Sequence, residues 1–337
     1  MTRPNYLPDN FTLALVAVVT LASVLPASGG VAQFFERLTA VAIGLLFFLH
    51  GAKLSREAIL AGIMHWRLHL LVFASTFVMF PVLGLLLRPL LSPLVTPALY
   101  TGVLYLCVLP ATVQSAIALT SMARGNIPAA ICSASASTLL GVFITPILVN
   151  LIVLPGGGAG SSFDSIGRIL LQLMLPFALG HLLRPWVGAW VKRRAAALKF
   201  VDQGSILLVV FTAFSAAVIE GLWKQVSVRD LAGLLVVCAI LLGLALSSTV
   251  WMARRMGFNK EDEITMVFCG SKKSLASGIP MAKVLFASHA VGALVLPLMV
   301  FHQMQLMVCA VLAQRYGRRQ DQDDMPAPAV VANQAKS

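Results

Sequence analysis

The sequence predicts an all-α polytopic membrane protein of ten transmembrane helices, and three observations carry that reading. Of the 337 residues, 58% are apolar and only 11% are charged, where a soluble domain carries about 25% charged residues. Mean hydropathy is +0.88. Ten stretches approach the roughly 20 apolar residues that a bilayer core of about 30 Å demands, with little irregular sequence between them. The net charge of +12 matches the Lys/Arg excess of cytoplasmic membrane loops. No basic patch with interleaved aromatic residues points to nucleic acid.

The spans run over residues 11–27, 38–54, 67–87, 97–122 and 128–153, then 166–190, 204–222, 231–253, 264–286 and 290–313. The first ends on Leu25-Pro26-Ala27-Ser28, small enough for signal cleavage. Its leader opposes one Arg3 with one Asp9, so it reads as a retained helix. With the amino terminus cytoplasmic, 17 of the 25 Lys and Arg fall on the inner side and six outside. That asymmetry places both termini in the cytoplasm, for a bacterial chain at the inner, or plasma, membrane.

Between spans five and six, Pro155-Gly156-Gly157-Gly158-Ala159-Gly160 reads as a flexible connector. Residues 1–155 and 166–316 then form two five-helix units, with 156–165 between them and a polar, disordered tail over 317–337. An odd number of helices per unit makes the units inverted relative to each other, the usual build of secondary transporters. Spans four and nine share a pattern at an offset of 159 residues: Ser115 and Met122-Ala123-Arg124 against Ser274 and Met281-Ala282-Lys283.

Candidate chemistry concentrates in those two spans. Span four carries Pro110, Thr112, Gln114, Ser115, Thr120 and Ser121. A proline inside a helix frees backbone groups, which lipid cannot satisfy, so hydroxyls and an amide beside the break can present oxygens to an ion. Span nine carries Ser271-Lys272-Lys273-Ser274 about eight residues or more from either end, too deep for both lysines to snorkel easily. A cation there costs at least ~2.5–3.5 kcal/mol on insertion scales. A competing reading starts the helix after Ser274 and leaves both lysines in a cytoplasmic loop. In span five, Ser133 and Ser137 share one helix face and are candidate ligands, although small residues at that spacing also serve close helix packing.

The absences are equally informative. All 13 carboxylates lie near span ends or in loops, with Asp202 and Glu220 the nearest exceptions. The lysines therefore lack an acidic partner, and an anionic substrate, half-helix carboxyl ends or loss of their protons would each neutralise them. His50, His181 and His302 read as hydrogen-bonded core histidines rather than a relay. Five cysteines without ligand spacing indicate neither a disulfide framework nor a zinc site. No His/Asp/Glu constellation suggests an enzyme.

On these residues the chain resembles the bile acid:sodium symporter family. The stretch from Pro110 to Pro146, with Ala123-Arg124-Gly125-Asn126, Ser137-Thr138-Leu139-Leu140 and Thr145-Pro146, looks like that family's broken fourth helix and the one after it. Phe268-Cys269-Gly270-Ser271-Lys272-Lys273-Ser274-Leu275-Ala276 and Leu46-Phe47-Phe48-Leu49-His50-Gly51-Ala52-Lys53-Leu54 look like the branch containing sodium/bile acid cotransporter 7 and its bacterial relatives. The resemblance implies a panel domain of spans one, two, six and seven and a core domain of the rest. It also implies fourth and ninth helices that break and cross where Na⁺ binds, here near Gln114, Ser115 and Ser271. The bile-acid-transporting members carry a glutamate and a Gln-Asn pair where this chain has Phe268 and Lys272-Lys273, which removes the sodium-ligating carboxylate and adds positive charge.

The expected activity is secondary active transport of a small organic anion by alternating access. Thr112, Gln114, Ser115, Ser133, Ser137, Ser271, Lys272, Lys273 and Ser274 form the candidate substrate and ion site, and Na⁺ or H⁺ is the coupling ion if there is one. The alternatives are a Na⁺-independent or proton-coupled carrier built on Lys272 and Lys273, and a non-transporting regulatory membrane protein.

Overall fold

The computed structural model describes residues 10–53, 65–154, 163–286 and 291–323, and every regular element among them is helical. In chain order the helices longer than four residues are α1 (Asn10–Val24), α2 (Gly29–Lys53), α3 (Trp66–Leu86), α4 (Pro97–Cys107), α5 (Gln114–Met122) and α6 (Ile127–Val153). They continue with α7 (Phe163–Arg193), α8 (Ala195–Ile219), α9 (Val228–Arg255), α10 (Lys260–Gly270), α11 (Leu275–Leu285) and α12 (Val291–Asp323). Six of these, α2, α3, α6, α8, α9 and α12, are long and apolar enough to cross a membrane, and the protein is an integral membrane protein.

The expected spans over 97–122 and 264–286 are each divided. α4 and α5 have 11 and 9 residues, and α10 and α11 have 11 each. At 1.5 Å per residue none exceeds about 17 Å, little more than half a bilayer core. Elsewhere the helices outrun the apolar stretches. α2 begins at Gly29 and so takes in Glu36 and Arg37, and α12 continues to Asp323, into the segment expected to be disordered. Extending an existing helix adds one hydrogen bond per residue without a new nucleus, so polar flanks follow the apolar segment. The Gly-rich connector over 155–162 lies outside the described residues, as does the tail from residue 324 onward.

Side-chain packing sorts the helices into two groups. α2 packs along α7, and α8 lies against both α1 and α2. The α2–α7 crossing brings backbone against backbone. A Cβ on Gly51 would lie 2.0 Å from the Phe177 carbonyl oxygen, and one on Gly180 would lie 2.0 Å from that of Phe48, so only glycine allows this approach. In the second group α10 sits among α3, α5, α6 and α9, while α12 packs on α4, α5, α9 and α11. The groups meet where α8 touches α11 and α12 and where α7 touches α6. Lys283 of α11 reaches Glu36 of α2 across the groups at 3.6 Å, while Lys53 of α2 pairs with Asp202 of α8 within the first group.

Candidate functional site

The site begins with two interrupted helices whose breaks meet. α4 stops at Cys107 because Pro110 has no N–H with which to continue the ladder, and α5 resumes at Gln114. α10 stops at Gly270, and α11 restarts behind Ser274, whose hydroxyl accepts from the Ser277 N–H at 3.2 Å as an N-cap. The Ser274 N–H donates to the Pro110 carbonyl at 2.9 Å, tying one break to the other.

Away from water, the carbonyls freed at the first break need partners, and those of residues 107–110 have them. The Val108 carbonyl accepts from the Thr145 hydroxyl at 2.8 Å, and Pro110 is held by Ser274. The carbonyls of Cys107 and Leu109 accept from Lys273 Nζ at 2.7 and 2.8 Å. A third carbonyl, that of Thr76, accepts from the same ammonium at 2.7 Å, for a local reason. Ser75–Met79 in α3 is a π turn in which the Phe80 N–H reaches back to Ser75. The next donor in that register would be Pro81, which has none, so the Thr76 oxygen is left open to a partner outside α3.

Lys273 therefore spends its three N–H bonds on three carbonyls, with its nitrogen 4.3 Å from the centre of the Phe80 ring. It is 0% exposed. Its charge lies at the carboxyl end of α4, where the helix dipole is negative. Gln305 of α12 clamps its backbone: the Lys273 N–H donates to Oε1 and Nε2 donates to the Lys273 carbonyl, both at 3.0 Å.

Lys272 is as deeply buried but less well served. Its Nζ donates once, to the Ser115 carbonyl at 3.4 Å, and stands 5.9 Å from the Phe268 ring centre. Burial of both side chains overturns the reading that left them in a cytoplasmic loop.

Beside this crossing lies a cavity of about 500 Å³, walled by α2, α7 and α8 on one side and by α5, α6, α11 and α12 on the other. Of the nine residues expected at a site, Thr112, Gln114, Ser115 and Ser274 line it. Lys272, Lys273 and Ser271 lie behind the wall, and the Ser271 hydroxyl is turned back onto the Val267 carbonyl. Ser137 accepts from the Ala111 N–H at 3.0 Å and so closes the first break, while Ser133 bonds His69 Nδ1 at 2.6 Å. The α6 polar residues facing the cavity are Ser135 and Thr138, beside Leu139. Their three-residue spacing was as visible in the sequence as that of Ser133 and Ser137, but nothing in one helix's sequence says which face is inward.

Sequence reasoning also passed over the cations of the cavity. Lys53 and Lys199 line it together with Asp202, which Lys53 engages. A neighbouring cavity of about 580 Å³ shares Lys53, Gln114 and Lys199 and adds Arg184 and Lys192. Four basic side chains thus face one acidic one. His50 and His302 also line the cavity, each with a hydrogen bond, to the Leu46 carbonyl and to Gln305 respectively. Among the described residues no group of His, Cys, Asp and Glu could hold a metal ion.

At the amino end of α10, Glu263 bonds Lys260 at 2.7 Å, Arg254 at 3.4 Å and the Tyr316 hydroxyl at 3.2 Å. Burial pushes its carboxyl up, but the two cations outweigh that and hold it below the ordinary value. This cluster anchors α10 to α9 and α12 and keeps the second break in place.

Comparison with known proteins gives a consistent result. The sequence profile of the SBF-like CPA transporter family matches residues 9–318. The chain is 68% identical over 321 residues to protein PA2026 of Pseudomonas aeruginosa, covering 95% of this chain and 96% of that one. It is 60% identical over 314 residues to "Putative symporter YfeH" of Escherichia coli (strain K12), covering 93% and 94%. It is 28% identical over 309 residues to sodium/bile acid cotransporter 7 of Rattus norvegicus, covering 90% of each.

Proposed function

This chain belongs to the SBF-like CPA transporter family, and from that premise we propose that it is a secondary carrier moving a small organic anion across the membrane by alternating access. One observation carries the choice of substrate: the cavity and its neighbour present Lys53, Lys199, Arg184 and Lys192 against the single carboxylate of Asp202. The apolar walls, including Leu46, Phe177 and Ile206, suit the hydrocarbon part of such an anion. Thr112, Gln114, Ser115 and Ser274 supply hydrogen bonds at the far wall.

In this reading 1–155 and 166–316 are inverted repeats, with both termini cytoplasmic. The group α1, α2, α7 and α8 is the panel that rocks against the remaining core, exposing the cavity to each side in turn. The second halves of the broken helices, α5 and α11, begin 161 residues apart, close to the 159-residue offset between spans four and nine.

Relatives named as symporters suggest Na⁺ coupling, and the site favours another arrangement. Half-helix ends and unwound carbonyls are where transporters of this build hold a coupling cation. Here the Lys273 ammonium takes two such carbonyls, of Cys107 and Leu109, and a third from the π turn of α3. Lys273 is a cation tethered in that place, and transport proceeds without Na⁺. Proton coupling through Lys272 is a second reading, favoured by its single long hydrogen bond.

The test is uptake of a panel of small carboxylates and sulfonates by proteoliposomes, with Na⁺ replaced by K⁺ or choline. Wild-type uptake is expected to be indifferent to the replacement, and K273A to become Na⁺-dependent as a free ion takes the vacated carbonyls. Wild-type uptake abolished by removing Na⁺ overturns the tethered-cation reading. Uptake of cations but of no anion overturns the substrate class. Uptake driven by a pH gradient and lost in K272A decides for the proton reading.

A further inference from the structure

The lipid-facing side of the molecule carries a groove that shares no lining residue with the two cavities. It runs between α9 and α12 and encloses about 940 Å³, and its inner walls, Leu246, Val250 and Leu312, pack against the α10 cluster of Ile264, Val267 and Phe268. Leu246 and Val250 form one wall, and Val308, Val311 and Leu312 form the other. At Gly243 the floor is open, since a Cβ there would meet nothing within 4 Å. The groove ends in three guanidinium groups, those of Arg254, Arg255 and Arg315.

We propose that this groove binds an anionic phospholipid, with its acyl chain between α9 and α12 and its phosphate on the arginines. The dimensions fit one leaflet. Gly243 to Arg255 is twelve residues of α9, or about 18 Å, against a leaflet depth of about 15 Å. Trp251, 64% exposed, stands one turn inside the arginines, at the level where an indole partitions to the membrane interface.

The charge selects the headgroup. Arg254 is engaged by Glu263, whereas Arg255 and Arg315 have no carboxylate partner among the described residues. Guanidinium groups bind phosphate oxygens in pairs of parallel hydrogen bonds, and basic pockets at the cytoplasmic ends of membrane helices recruit anionic lipid in this way. A second copy of the chain fits less well. A two-fold interface places the same patch on both sides, so the six arginines of a dimer would gather at one depth, the four of Arg255 and Arg315 without acidic counterparts.

The purified full chain tests this. Phosphatidylglycerol is expected to raise its Tm by about 4 °C more than phosphatidylcholine does. R255Q/R315Q should lose that increment and R229Q, at the opposite end of α9, should keep it. Native mass spectrometry should show phosphatidylglycerol adducts on the wild type that R315Q alone sheds, a readout that survives if the double variant folds poorly. Equal stabilisation by phosphatidylcholine overturns the proposal, as does the same shift with inorganic phosphate alone or a loss shared by R229Q. A dimer in lipid-free detergent that R255Q/R315Q dissociates also overturns it.

Discussion

Lys273 and Lys199 are the same side chain in two unlike settings. Lys273 is closed off from solvent, with all three donors on backbone carbonyls and a glutamine clamping its own peptide. Lys199 is exposed at the cavity, with no ion pair among the described residues. A buried charge is costly unless its hydrogen bonds are complete, and completing them leaves nothing to offer a ligand. An ammonium with unspent donors beside a cavity is the one able to meet a substrate. In this protein the count of satisfied donors, rather than depth in the membrane, separates the lysine that holds the fold from the lysine with donors left for the proposed anion.

The hardest blow to that contrast is K273M. It strands three buried carbonyls and removes the cation at the end of α4, and we expect a loss of about 3–5 kcal/mol, read as a lowered unfolding transition. A K273M protein as stable as wild type would erase the distinction. Next comes Q305L, which leaves the charge but removes both bonds to the Lys273 backbone, at a cost of about 2–3 kcal/mol. The same measurement checks it, and it separates the clamp from the ammonium.

K199Q probes the other side of the comparison. Its unfolding transition should match wild type, while KM for the transported anion rises about tenfold, equivalent to ~1.4 kcal/mol. A loss of stability without a change in KM would give Lys199 the structural role instead.

The smallest effect is expected at Glu263, whose carboxyl lies below its ordinary value of 4.5. Its ion pairs contribute in full above that value and fade as pH falls through the lowered one. Because Arg254 and Lys260 reach into solvent, the contribution stays under about 1 kcal/mol. E263Q should flatten the acid side of a stability–pH curve and leave neutral pH nearly unchanged.

Much of this arrangement was legible in the residues. Pro110 marked the first break, since a missing N–H has the same consequence in any fold. The Lys272-Lys273 pair marked the second region, since two lysines cannot both escape from so deep in an apolar run, but its break was expected only from the family resemblance. Missing from view were the partners. Lys272 and Lys273 are adjacent, and only the position of α3 and α4 assigns three carbonyls to one and a single long bond to the other. Ser137 was expected at a ligand and instead satisfies Ala111, because α6 turns that face toward the break. Lys53 and Lys199 passed as ordinary inner-face charges until α2 and α8 were seen to frame a cavity.

By itself the sequence determined that lipid is the solvent, that the chain crosses it many times, and where a proline interrupts one of its helices. Hydropathy and proline chemistry act over a few residues and need no knowledge of neighbours. The tertiary structure alone decided which donors meet which acceptors, and therefore which lysine is spent and which is free. A helix's rotation about its axis, and its register against helices far away in the chain, come from packing across the whole bundle.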